Sequence, residues 1–160
     1  MNIEAVKINV PEGCNLVLGM SHFIKTVEDI YELMVNSVPG VKFGVAFSEA
    51  SGDRLVRVAG NDDELSKAAG DTVMQLASGH CFLIFMRNAY PVNILQGLKN
   101  VYEVVNIFCA TANPVQALVV RSKQGGGIIG VIDGEAPVGI EDDAAAKKRH
   151  QLLRAIGYKQ

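Results

Sequence analysis

A histidine stands at the head of the most apolar run in the chain, Ser78-Gly79-His80-Cys81-Phe82-Leu83-Ile84-Phe85-Met86. The preceding glycine suits the position just past a helix, and the run that follows suits a strand buried on both faces. An imidazole held at such a junction is fixed in place and partly desolvated, which fits a nucleophile or a proton carrier. The plainer reading is a core histidine with its hydrogen bonds satisfied, and position alone does not separate the two.

A second candidate is Gly125-Gly126-Gly127-Ile128-Ile129-Gly130. It matches the dinucleotide-binding G-x-G-x-x-G pattern, but that motif must open a helix, and here Val131-Ile132-Asp133-Gly134 continues as strand and turn. What remains is a glycine-rich hairpin whose bare backbone, at Gly125, Gly126 and Gly127, can approach a phosphate or purine and offer N–H donors. A turn that needs positive φ explains the same glycines.

Asn106-Ile107-Phe108-Cys109-Ala110-Thr111-Ala112-Asn113-Pro114 ends an apolar strand in small and polar groups, where sheets of α/β proteins bind ligands. Thr111 and Asn113 carry the hydroxyl and amide that read a nucleoside, or else cap the turn at Pro114. Asp133, before Gly134, is a turn former or a ribose or metal ligand.

Other chemistries find little support. His22, His80 and His150 lack metal-ligand spacing, and neither Ser51 nor Ser78 lies in a G-x-S-x-G elbow. Cys81 and Cys109 have no basic or helix-start neighbour in sequence to lower their pKa.

The elements that would position these groups follow from periodicity and breakers. Strands are expected over 3–10, 15–19, 41–47, 54–58, 80–87, 104–110, 116–122 and 128–132. The 41–47 and 54–58 strands flank the turn-forming Ala50-Ser51-Gly52-Asp53. Helices are expected from Thr26 to Pro39-Gly40, from Asn61 to Gly79, over 91–99, and from Asp142 to about Ile156. Asn61 is read as the cap of the second helix, with Glu64 three residues on. The 80–87 and 104–110 strands read as apolar on both faces. The pattern describes one α/β domain over 1–160, a mixed sheet with helices packed on it.

With 160 residues, 49% hydrophobic and 20% charged, the chain is long enough for one sizeable core. Its net charge of −2 lacks the basic footprint of a nucleic-acid binder. Lys147-Lys148-Arg149 follows Glu141-Asp142-Asp143 in the order a helix dipole favours and reads as a solvated face. No apolar run approaches a membrane span, and the N-terminus does not read as a secretion signal. Three cysteines without C-x-x-C spacing fit a reducing, cytoplasmic setting. A mean hydropathy of +0.20 with few charges leaves apolar surface to cover, so a homo-oligomer is expected.

Taken in order, 50–57, 78–85, 90–95, 107–114 and 127–134 resemble the adenosine-specific kinase family, with the likeness extending over nearly the whole chain. The resemblance implies an α/β fold, an oligomer (a trimer or a multiple of it), binding of adenosine, AMP and ATP, and a histidine that carries a phosphoryl group. The family's Gly-His-aromatic segment falls on His80. The implied activity is transfer from ATP, through a phosphohistidine, to the 5′-hydroxyl of adenosine, giving AMP. Thr111, Asn113, Gly125, Gly126 and Gly127 are then the expected nucleoside and phosphate contacts, and Mg²⁺ would accompany ATP with help from Asp133 or Asp53. The competing expectation is a non-catalytic sensor that only holds adenosine or AMP.

Overall fold

The computed structural model describes residues 2–160. The chain begins β1 (Asn2–Ile8), β2 (Asn15–Ser21), α1 (Thr26–Ser37) and β3 (Lys42–Ser48). It continues through β4 (Val56–Gly60), α2 (Asp63–Leu76), β5 (Cys81–Arg87) and α3 (Pro91–Lys99). It ends with β6 (Val104–Thr111), β7 (Val115–Arg121), β8 (Gly126–Asp133) and α4 (Asp143–Ala155).

β5 is apolar throughout because it is the middle strand of a five-stranded sheet in the order β4-β3-β5-β2-β6. Alternate side chains point to opposite faces. Cys81, Leu83 and Phe85 therefore join Leu16, Leu18 and the α2 residues Leu65, Ala69, Val73 and Leu76 on one side. Phe82, Ile84 and Met86 meet Ile30 and Met34 of α1 and Ile94 and Leu98 of α3 on the other. Each large side chain so buried contributes about 1.5–3 kcal/mol. A second sheet, β1-β7-β8, closes over the α2 side through Val115, Ala117 and Val119. The protein is thus an α/β domain of three layers, and both sheets pair antiparallel.

Three local expectations change. The cap of α2 is Asp62, whose Oδ1 accepts from Leu65 N at 3.0 Å. Asn61 is occupied elsewhere: its side chain accepts from Phe43 N at 3.0 Å and donates to Val41 O at 2.8 Å. β6 is an edge strand rather than one buried on both faces, and Val105 is 64% exposed. Helix α2 ends on Ala77 in left-handed conformation (φ 45°), not on Gly79.

Arg121 secures the second sheet to that helix end. Its guanidinium donates to Leu76 O at 2.6 Å and Ala77 O at 3.3 Å, and it pairs with Glu4 at 3.0 Å. A cation there satisfies carbonyls that the helix cannot and complements its dipole. After Asp133 the chain leaves the body. α4 has no buried residue, and Lys147, Lys148 and Arg149 are exposed as expected.

Candidate active site

His80 lies in the short link between α2 and β5 with φ 61°, a left-handed conformation uncommon for any residue but glycine. Such backbone costs roughly 1–3 kcal/mol and persists only where its surroundings enforce it. The enforcement is visible on both sides. His80 N–H donates to Ser48 O at 2.8 Å, and His80 C=O accepts from Ser21 N at 2.8 Å. The histidine backbone is therefore pinned between the ends of β3 and β2.

The aromatic contact shows where the ring goes: the His80 imidazole stacks on Phe47 of the cluster beneath α1 and α3 (centroids 5.8 Å apart, planes at 24°). A second imidazole, His22, stands edge-on at 6.4 Å and 88°. His22 follows β2 directly, and its N–H donates to Glu103 O at 2.8 Å. Ser21 Oγ donates to the same carbonyl at 3.0 Å and shares a 2.5 Å hydrogen bond with Thr26 Oγ1.

The Glu103 carboxylate is buried beneath this turn, with its side chain 4% exposed. Its Oε1 lies 3.3 Å from Lys25 Nζ, an ion-pair contact without the alignment of a hydrogen bond. Lys25 also pairs with Asp29. The Asp29 hydrogen bond, reinforced by Glu103, raises the Lys25 ammonium above its usual range. Burial pushes the Asp29 carboxyl up, but the hydrogen bond from the Lys25 ammonium opposes it, and Asp29 is held below the ordinary carboxylate value.

The glycine hairpin sits at the same end of the molecule on the other face. Gly126 bridges Ser78 in parallel, and a Cβ there would fall 2.5 Å from Ala77 O. None of Gly125, Gly126 and Gly127 has positive φ, so close backbone approach, and not turn geometry, explains Gly126. The hairpin walls an open cleft of about 760 Å³ together with Ser122, Gln124, Ser48, Glu49, Ala50, Arg54, Ala77 and Gly79. Gly79 lacks a side chain because a Cβ would press within 2.9 Å of Ala50 Cβ. Asp53 is exposed in the β3–β4 turn, between Gly52 (φ 65°) and Arg54 (φ 52°).

The remaining expected site residues lie at the opposite end of the sheets. Thr111 is level with Leu16, and Leu16 with Phe85, four residues into β5 from Cys81. Asn113 N–H donates to Thr111 Oγ1 at 3.0 Å, and Asn113 Nδ2 donates to Asp133 Oδ1 at 3.2 Å. Asp133 is seven strand steps along β8 from Gly126, roughly 23 Å. Within one chain the structure therefore gathers His80, the glycines and the Asp53 turn at one end, and Thr111, Asn113 and Asp133 at the other.

Asp133 and Asp53, the carboxylates expected to help hold Mg²⁺, lie at opposite ends of the sheets, and Asp133 accepts from Asn113. A nucleotide would bring Mg²⁺ as part of the substrate. Burial pushes the Cys81 thiol up to about 12 and the Cys109 thiol up to about 11, which keeps both protonated at neutral pH. Among the described residues, no helix is long and apolar enough to cross a membrane.

His22, Phe47, Lys25 and Glu103 are absent from the residues chosen on sequence. Their only signal was His22 closing an apolar strand, as His80 opens one.

Among proteins of curated function, none matches the chain. Its fold is similar to the crystal structure of the PH1918 protein from Pyrococcus horikoshii OT3, with a TM-score of 0.95 and 41% identity over 99% of this chain and 98% of that one. The adenosine specific kinase family matches residues 6–159. With that match over nearly its whole length, the chain belongs to the adenosine specific kinase family.

Proposed function

We propose that this protein phosphorylates adenosine in two steps through His80. A nitrogen of the neutral imidazole attacks the γ-phosphorus of ATP, and the bond to the bridging oxygen breaks with ADP leaving. The 5′-oxygen of adenosine then attacks the phosphohistidine, the N–P bond breaks, and AMP departs. Splitting the transfer in this way replaces one difficult displacement by two easier ones.

The observation that carries the reading is the enforced backbone of His80. A strained residue pinned by two strands, with its ring oriented by an aromatic plane, is a preorganised nucleophile. The cleft beside Gly79 offers hairpin N–H and Arg54 groups to a phosphate. It opens on the face opposite the His80 ring and His80 does not line it, so the reacting phosphate is proposed to lie on the Phe47 side. Thr111, Asn113 and Asp133 take no part in this reading within one chain.

Self-association belongs to the same proposal. No residue of 135–160 is fully buried in its own chain, and Val138, Ile140, Leu152, Ile156 and Tyr158 are exposed along them. A second copy supplies the missing surface, in a trimer or a multiple of one. Three buried free cysteines suit a reducing, cytoplasmic setting.

The test is turnover: incubation with ATP, Mg²⁺ and adenosine should yield AMP and ADP in equal amounts over many cycles. Adenosine binding without AMP formation would reject the enzyme reading in favour of a sensor.

A further inference from the structure

We infer that His22 is the general base that removes the proton from the 5′-hydroxyl when the phosphoryl group leaves His80. The inference rests on the proposed phosphohistidine and adds the proton-transfer partner that the second step needs.

The two rings approach edge to face with centroids 6.4 Å apart. One phosphoryl group on His80 and one attacking oxygen hydrogen-bonded to His22 can span that separation with ordinary bond and hydrogen-bond lengths. Nothing in the sheet architecture requires this pairing, because His22 is exposed and contributes nothing to either core cluster.

The turn carrying His22 is nevertheless fastened far more firmly than a four-residue connection needs. Ser21 N–H reaches His80 O, so the two histidine-bearing segments are joined directly. Ser21 Oγ and His22 N–H both converge on Glu103 O. Thr26 Oγ1 donates to Ser21 Oγ, and Lys25 is clamped between Asp29 and the buried Glu103 carboxylate. The common result of these bonds is a fixed position for the His22 backbone relative to His80.

The chemistry balances without a further reactant. The 5′-oxygen forms its bond to phosphorus as the N–P bond breaks, and that electron pair returns to the His80 nitrogen. The hydroxyl proton moves to a neutral His22 nitrogen, which becomes imidazolium and later yields it to solvent. The titratable groups on the elements that meet at His22 are Lys25, just before α1, Asp29 in α1, Glu103 in the α3–β6 turn, and His80 itself.

Pre-steady-state measurement on the full chain separates the steps. Wild type, His22→Ala and His22→Gln are first loaded with ATP and then chased with adenosine, with melting curves on the same samples. Both variants should form phosphohistidine at near wild-type rate, yet transfer to adenosine about 10²–10⁴-fold more slowly. They should also lose the rise of transfer rate with pH that an imidazole base imposes. Transfer within about threefold of wild type, with the same pH profile, overturns the assignment. Failure of the variants to load when wild type loads also overturns it, by placing His22 in the first step. Failure of wild type itself to load rejects the phosphohistidine reading, and the assignment with it.

Discussion

Phe47 lies nearly parallel to the His80 imidazole, with ring centroids 5.8 Å apart and planes at 24°. Phe47 is itself fully buried at the end of β3, so it is a fixed wall against which the histidine ring is set. Replacing it by Leu keeps an apolar filler and removes the flat surface. Phe47→Leu should cost about 1–2 kcal/mol of stability, from reduced volume and the lost ring contact. Its phosphorylation by ATP, per folded molecule, should fall about tenfold. Thermal melting and initial rates of acid-labile phosphate incorporation check the two effects separately.

The glycine hairpin divides into a structural position and open ones. At Gly126 any Cβ meets Ala77 O at 2.5 Å and Arg121 Nη1 at 2.6 Å, whereas at Gly125 and Gly127 it meets nothing within 4 Å. Gly126→Val should therefore destabilise the fold by roughly 1–3 kcal/mol through displacement of β8 from the end of α2. Gly127→Val should melt near wild type, and any loss of turnover in it reports on ligand contact. Equal melting temperatures for the two variants would contradict this division.

Glu49 accepts from Leu55 N at 3.0 Å and from Arg57 Nε at 2.8 Å, and those bonds hold its carboxyl below the usual value of 4.5. A depressed carboxylate contributes stability that is present above its unfolded pKa and is lost as pH falls through the folded one. The β3–β4 hairpin beside the cleft should therefore loosen below about pH 4.5. Glu49→Gln should flatten that part of the stability–pH curve and leave the neutral-pH slope unchanged. Denaturant unfolding at a series of pH values between neutral and acid is the check.

Chain residues after Gly134 should be dispensable for folding and required for assembly. Truncation there should leave the melting of the body near wild type, because α4 buries no residue against it, while the sedimenting mass falls. A full-length protein that sediments only as a 17.2 kDa species at micromolar concentration would contradict the oligomer.

Much of the fold was readable from local pattern. Pro at the first turn of α3 and the apolar spacing of Ile94 and Leu98 mark Pro91–Lys99 without any tertiary knowledge. The uninterrupted apolarity of Cys81–Met86 likewise announces a strand covered on both sides. The left-handed turn was misassigned to Gly79 because glycine is the usual occupant, whereas here Ala77 and His80 are forced into that conformation by bonds from Val73, Ser48 and Ser21. His80 was legible as a candidate, but its partner was not. His22 meets it through the antiparallel registration of β2 on β5, in which Met20 faces Cys81. Long-range registration is not written in spacing along the chain. The same limit applies to Thr111, Asn113 and Asp133, whose residue types suggested a site shared with His80 but which the strand lengths place at the other end of the chain's sheets.

The most direct test of the phosphohistidine is the intact mass of the protein after ATP treatment. Wild type should gain one phosphoryl group that survives alkali and is lost in mild acid, the behaviour of a phosphoramidate. His80→Ala, folded by its melting curve, should gain none. An equal mass gain in His80→Ala would place the phosphoryl group elsewhere and contradict the account.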